Sequence, residues 1–373
     1  MARSRRRAAR PRAHRRLDVS VRVRFAPSPT GSLHVGNALT AVANRDFADE
    51  QGGVLLLRID DTDASRAVEG GEGAILGDLA WLGVAIDEGP VRQSERGASY
   101  SAAAQRAMEA GKAEQDDDGS VRLTAGGTTL LRADGTATYQ LASVVDDIEL
   151  RITHVVRGND HRPNLPVQTR IASALGTHLP VVIHHGLILG EDGRKLSKRH
   201  GHSSIAELRE AGFPPAAVRS YLDELGLPEH DVQLDLSRLR RLAVDAISAM
   251  PDAELAAAAD APVEVVPALR GARTLVEARE YARLVLAPHP VALDADAVQT
   301  LERFAELRTA APERLSHDDA RGIVRELKAV GGDLHALRLA LTGADKGPEL
   351  GAVLAALSRE EAVARADRAR GAA

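Results

Sequence analysis

The pattern of apolar and polar positions divides the chain near residue 200. Residues 21–26 alternate apolar and cationic side chains, the period-two signature of a strand. Pro27, Pro29 and Gly31 break it, and a helix is predicted over 35–51, closed by Gly52-Gly53. Val54–Ile59 reads as an apolar run of the kind a buried parallel strand needs. Further helices are predicted over 68–82 and 96–111, and Asp116-Asp117-Asp118-Gly119 is a solvated turn. Short β-like runs follow at 121–123, 128–131 and 139–145, then a strand over 152–157, a helix over 165–175 and a short strand at 181–183. The strand–helix–strand–helix order predicts a parallel sheet. Beyond 203 strand signals fade and Ala, Leu, Arg and Glu dominate, so a helical second half is expected, with a joint at 262–271. The fold class expected is α/β followed by all-α.

Composition sharpens this picture. A chain of 373 residues, 44% of them hydrophobic, can bury cores for two or three domains. Aromatics are only 2%, so those cores must be built from Ala, Leu and Val. A net charge of −5 does not announce a nucleic-acid binder, although a basic face can sit on an acidic protein. The absence of cysteine excludes disulfides, thiolate zinc sites and cysteine nucleophiles. No apolar run approaches the ~20 residues of a membrane span, so a cytoplasmic chain without membrane association is expected. The Arg-rich start, 1–19, lacks the apolar stretch of a secretory signal. A transit peptide or a nucleic-acid-binding arm is open there, with a disordered tail the expectation.

Two segments carry candidate chemistry. RFAPSPTGSLHVGN, residues 24–37, joins a strand to a helix. A helix N-terminus gathers unpaired N–H groups and the positive end of the dipole, which suits phosphate. His34 can donate to a phosphate oxygen, and Gly36 permits close approach of a nucleotide. An ordinary turn with a capping histidine is the alternative. GEDGRKLSKRHG, residues 190–201, puts four cationic side chains in a short Gly-bounded loop. Such a loop can neutralise the charge that develops as pyrophosphate leaves. Lysine occurs only at Lys112, Lys195, Lys198, Lys328 and Lys346, so two of them three apart are unlike surface decoration.

Together the two segments resemble the HIGH and KMSKS signatures of class I aminoacyl-tRNA synthetases, with HVGN and KLSKR in their places. The fuller resemblance is to the glutamyl-tRNA synthetases. RFAPSPTG precedes HVGN, and RIDDTD at 58–63, WLG at 81–83, QSER at 93–96, YQLASVVDD at 139–147 and ITHVVRGNDH at 152–161 follow in order. LRLALTG at 337–343 with Gly347-Pro348 is similar to that family's anticodon-binding region. The resemblance implies a Rossmann-like, doubly wound parallel-sheet catalytic domain over 20–200 after the tail 1–19. A helical stem-contact region over 201–265 and an anticodon-binding-like domain over 266–373 would follow.

The implied reaction is attack of the glutamate carboxylate on the α-phosphorus of ATP, then transfer to tRNA(Glu). The nucleophile is already ionised, so alignment and charge stabilisation suffice. The resemblance assigns catalysis to His34, Lys195 and Lys198. It assigns ATP, with its Mg²⁺, to Ser28, Thr30, His34, Gly36, Asn37, Leu187, Ile188, Lys195, Ser197 and Lys198. Glutamate falls to Arg24, Ala26, Ser28, Asp60, Tyr139, Ser143 and Arg157, with Arg24 on the side-chain carboxylate and Asp60 on the ammonium.

Four departures stand out. The family usually has Glu where this chain has Asp60, an acid where it has Asn159, and often Asn or another small residue where it has Ser143. The largest is a gap: only 112–131 occupies the place of an acceptor-stem-binding domain. No zinc and a monomer are expected. Two rival readings stay open: a paralogue that adenylates glutamate for another acceptor (a modified tRNA base, a small amine or a carrier protein), and a non-catalytic paralogue that binds tRNA or a synthetase.

Overall fold

The computed structural model describes residues 20–63, 67–190, 192–194, 196, 203–289, 291, 293–294 and 297–371. The first part runs β1 (Arg22–Phe25), α1 (Val35–Glu50), β2 (Val54–Ile59), α2 (Gly71–Trp81), β3 (Glu88–Arg92), α3 (Gly97–Glu109), β4 (Ala113–Gln115), β5 (Val121–Leu123), β6 (Thr129–Leu131), α4 (Tyr139–Glu149), β7 (His154–Gly158), α5 (Leu165–Ala174), β8 (Val181–His185) and β9 (Ile188–Leu189). The second part is helical: α6 (Ile205–Glu210), α7 (Pro215–Leu225), α8 (Leu236–Ala249), α9 (Asp252–Ala258), α10 (Val266–Leu269), α11 (Leu275–Leu286), α12 (Val298–Ala310), α13 (His317–Ala329), α14 (Leu334–Thr342), α15 (Leu350–Ala356) and α16 (Arg359–Gly371), with one two-residue strand, β10 (Val232–Gln233), between α7 and α8.

β1 pairs with β2 and β2 with β3, all parallel, and β7 pairs parallel with β8. The Thr153 amide donates to the Arg22 carbonyl at 2.9 Å and stitches the two pieces together between β1 and β7. From β1 the chain therefore winds one way to β2 and β3, and later the other way through β7 to β8. In such sheets ligands bind beyond the carboxyl ends of the strands at the point of reversal. Here those ends carry Arg24 and Arg157.

Three apolar cores form. One joins β1, β2, α1 and α2 to α6, α7 and α8, so the first helices after residue 203 pack on the sheet. A second lies among α3, β5, β6, α4 and α5, and a third runs from Ile247 to the C-terminal helix. Ala, Leu and Val fill all three, as the scarcity of aromatics requires. The segment 262–271, expected as a joint, is packed, with Val265, Val266, Ala268 and Leu269 buried.

The main correction concerns 139–145, which is helical rather than β-like. The Thr138 hydroxyl accepts from the Leu141 amide and caps α4, and Leu141, Val144 and Val145 are buried at helical spacing. β3 gave no strand signal because Gly89-Pro90 sits inside it; proline is tolerated at a sheet edge. The short segment at 112–131 forms β4, β5 and β6, a three-stranded antiparallel sheet.

Candidate active site

A cleft of about 630 Å³ opens at the carboxyl ends of β1 and β7. It gathers Arg24, Ala26, Ser28, Thr30, His34, Gly36, Asn37, Asp60, Tyr139, Arg157, Leu187 and Ile188, residues up to 164 positions apart in the chain. Ser143 is buried one helical turn beyond Tyr139 and is not among the lining residues. Lys195, Ser197 and Lys198 lie outside the described residues.

At one end of the cleft charge is concentrated. Arg58, fully buried, grips Asp60 in a fork, Nε to Oδ1 at 2.6 Å and Nη2 to Oδ2 at 3.1 Å. Its Nη1 donates to Asp147 Oδ1 at 2.9 Å, and Arg24 Nε donates to the same oxygen at 3.2 Å. Burial alone would lower the Arg58 pKa, but Asp60 and then Asp147 hold it well above the ordinary value, so the cation persists. Asp146 beside it accepts from Gln93, Arg96 and Tyr100. Asp60 and Arg24, the two expected glutamate contacts, are thus tied through Arg58 and Asp147. Both oxygens of Asp60 already accept from Arg58, and each keeps lone-pair capacity for a ligand.

Arg157 contrasts with this network. It is 5% exposed, and its Nη1 donates to Gln168 Oε1 and its Nε to His184 Nε2, both neutral partners. Its Nη2 is buried without a hydrogen-bond partner. Burial, then the neighbouring charge of Arg24, lowers its pKa. His184 is held to about 4, by burial first and Arg157 next, so it is neutral near pH 7 and accepts from Arg157. Two guanidiniums, one of them carrying an unanswered donor, line one cleft, an arrangement whose chemistry suits a carboxylate.

At the other end is the start of α1. His34 is the residue before the first turn but makes no side-chain cap, so the capping alternative fails. Its Nδ1 lies 3.3 Å from the Ser203 carbonyl, which can only accept. Nδ1 therefore donates to that carbonyl, which fixes the orientation of the ring. The Val35 amide is taken by the Ser203 carbonyl at 3.0 Å, leaving the Gly36 and Asn37 positions of the helix mouth lining the cleft. A Cβ at Gly36 would meet no protein atom within 4 Å; that space is open for a ligand. The preceding loop rests on α2, where a Cβ at Gly71 would collide with the Pro29 carbonyl.

Leu187 and Ile188 are braced from the helical half. The Leu187 amide donates to Asp231 Oδ1 at 2.8 Å, Asn159 donates to the same oxygen at 3.0 Å, and β10 pairs parallel with β9. Among the described residues no group of three or more His, Cys, Asp or Glu could hold a metal ion. No helix among them is long and apolar enough to cross a membrane. Sequence reasoning missed Arg58, Gln168 and His184. Arg58 stood in the sequence as a cation inside an apolar strand run and as the first residue of RIDDTD, but no role was assigned to it.

The profile of the family described as tRNA synthetases class I (E and Q), catalytic domain, matches residues 20–126 and 118–240. A protein named glutamate–tRNA ligase 1 from Rubrobacter xylanophilus is 38% identical, covering 94% of this chain and 98% of its own length. One from Methylobacterium sp. is 33% identical over 95% of this chain and all of its own. The solved structure of a glutamate tRNA ligase from Elizabethkingia meningosepticum shares the fold, with a TM-score of 0.75 at 21% identity, covering 94% of this chain and 99% of that one. The Rubrobacter alignment spans 426 positions against a chain of 373, so at least 53 fall opposite gaps in this chain. With a profile match over more than half its length and relatives aligned nearly end to end, the chain belongs to the glutamate–tRNA ligases of the class I aminoacyl-tRNA synthetases.

Proposed function

We infer that this chain activates L-glutamate with ATP and transfers it to tRNA(Glu). The observation that carries the reading is Arg157, a buried cation with no acidic hydrogen-bond partner among the described residues, lining the same cleft as Arg24. Arg24 takes the side-chain carboxylate, Asp60 the ammonium, and Arg157 with Tyr139 holds the remainder of the amino acid. An oxygen of the α-carboxylate attacks the α-phosphorus; the bond to the β-phosphate breaks and pyrophosphate departs. His34, Gly36 and Asn37 hold phosphate at the helix mouth, with Ser28 and Thr30 beside them and Leu187 and Ile188 against the adenine. Lys195 and Lys198 neutralise charge on the leaving group, and Ser197 binds ATP. Mg²⁺, bound to the phosphates, neutralises part of the same charge. In this reading the enzyme is a cytoplasmic monomer without zinc, its catalytic domain is 20–200, and 201–265 and 266–373 contact the tRNA stem and anticodon.

ATP–pyrophosphate exchange with each amino acid, followed by charging of tRNA(Glu), tests the reading. Glutamate-dependent exchange is expected, with Lys198→Ala lowering its rate about 10²-fold or more while ATP binding is retained. Exchange with another amino acid alone, or a wild-type rate in Lys198→Ala, would sink it. A second reading, glutamate sent to a different acceptor, is favoured by one observation: the two profile segments meet at 118–126, inside the short sheet where the family carries its acceptor-stem domain. Strong exchange with no charging of tRNA(Glu) would select it.

A further inference from the structure

We propose that Asp78 is a positioning residue for the adenylation step, holding the loop that carries His34 in register with residues 203–206. The inference rests on the function proposed above and adds a residue to it. Asp78 is a carboxylate 2% exposed on α2, whose neighbours Ile75 and Leu79 face the apolar core. A buried carboxylate persists only where its lone pairs are filled. Asp78 Oδ2 accepts from the Ser32 hydroxyl at 2.7 Å and the Leu33 amide at 2.8 Å. Its Oδ1 accepts from Arg209 Nη2 at 2.8 Å, and that guanidinium stacks over Trp81 at 5.2 Å.

These contacts bind three segments distant in sequence. The Ser32 hydroxyl, while donating to Asp78, accepts from the Ala206 amide at 3.0 Å. The Ile205 amide donates to the Leu33 carbonyl at 2.9 Å and the Val35 amide to the Ser203 carbonyl at 3.0 Å. His34 Nδ1 shares that Ser203 carbonyl. Glu207 in turn accepts from both the amide and the hydroxyl of Ser203, and from the Ser204 amide. The His34 ring is therefore oriented by 203–206, and both are referenced to one carboxylate. Asp78 itself lines no part of the cleft, so its effect passes through the loop rather than through contact with substrate.

The kinetic consequence is specific. A shift of the loop misplaces the phosphate contacts and leaves the amino-acid end, built on Arg24, Arg58 and Arg157, where it was. A misplacement of ~1 Å costs about 10²-fold in rate. Exchange kinetics on the full chain, with folding checked by circular dichroism at the assay temperature, test this. Asp78→Asn is expected to lower kcat about 10²-fold with KM for glutamate within about twofold. Arg209→Gln should lose about tenfold and Arg209→Lys, which keeps the charge, should recover most of it. A folded Asp78→Asn with wild-type kcat, or one whose glutamate KM rises in step with the loss, overturns the proposal. If Asp78→Asn does not fold, Ser32→Ala decides: a kcat loss of about tenfold supports the proposal and an unchanged kcat overturns it. A wild-type chain with no glutamate-dependent exchange would instead defeat the function on which the inference rests.

Discussion

Arg157 is a cation from which water is largely excluded and which meets no acid in a hydrogen bond. Arg24, by contrast, already spends its Nε on Asp147 and turns to the cleft with its charge partly answered. In the proposed function the two together would favour glutamate, with its two carboxylates, over the amide of glutamine. In Arg24→Gln, glutamate exchange is expected to fall by at least about 10²-fold, since a poorly paired charge in a closed site costs on the order of several kcal/mol. The ratio of glutamate to glutamine activity should narrow in the same experiment; an unchanged ratio would remove Arg24 as the side-chain reader. His184 supplies a pH test. Its folded pKa of about 4 lies below the ~6.5 of a free imidazole. Between those values the unfolded chain takes up a proton that the folded chain refuses, so stability is lost as pH falls through that window. The melting temperature should drop between about pH 7 and pH 5, and drop less in His184→Gln; equal drops would show the histidine does not contribute. Residues held in short motifs, such as His34 and Gly36, were legible in the sequence because the chemistry and its spacing coincide. The role of Arg58 was not, because it joins Asp60, two residues on, to Asp147, 89 positions away, and nothing local announces that link.

At the scale of elements, α4 does two tasks. Its first residue, Tyr139, lines the cleft, and Asp146 and Asp147 two turns later close the buried charge network beneath it. Read as a β-like run, YQLASVV offers β-branched residues and an aromatic; the cap at Thr138 and the burial of Leu141, Val144 and Val145 on one helical face decide for helix. Local propensity lost to tertiary context here, as it did at β3, where pairing with β2 overrides Gly and Pro. The opposite held for α1 and β2, whose bounds follow from the Gly-Gly break between them. The network makes α4 and β2 one unit. Arg58→Leu removes both arginine hydrogen bonds on the Asp60 carboxylate and leaves Asp147 only that from Arg24 among the described residues. Breaking a buried pair in this way costs ~3–5 kcal/mol, and urea unfolding should show a loss of that size together with a raised KM for glutamate. A variant as stable as the wild type would mean that the three acids are held by other means.

The whole molecule divides by its cores rather than at the place where strands stop. α6 and α7 belong to the sheet's core, and α8 places Leu239, Leu242 and Ala243 there while Ile247 enters the C-terminal one. Composition announced helices after residue 203 but could not say onto which body they pack. Phe304 is fully buried and belongs to the C-terminal core alone. Phe304→Ala is expected to destabilise that body by ~3–5 kcal/mol. Calorimetry should record the loss while exchange kcat, assayed below the transition, stays at the wild-type value; a parallel fall in kcat would show that the cores act as one. The sheet of β4, β5 and β6 has a further consequence. β4 pairs antiparallel with β5 and sets Gln115 opposite Val121, so the chain leaves and re-enters this sheet around its first turn at neighbouring points. The turn at its tip is closed on itself by the Gly119 amide donating to the Asp116 carbonyl. Closing a longer excursion there adds only about 0.6 kcal/mol per doubling of length. That tip is a grafting port: a foreign domain whose two ends lie close together can be spliced in at 116–119, and the cleft would carry on its chemistry beneath a new recognition surface.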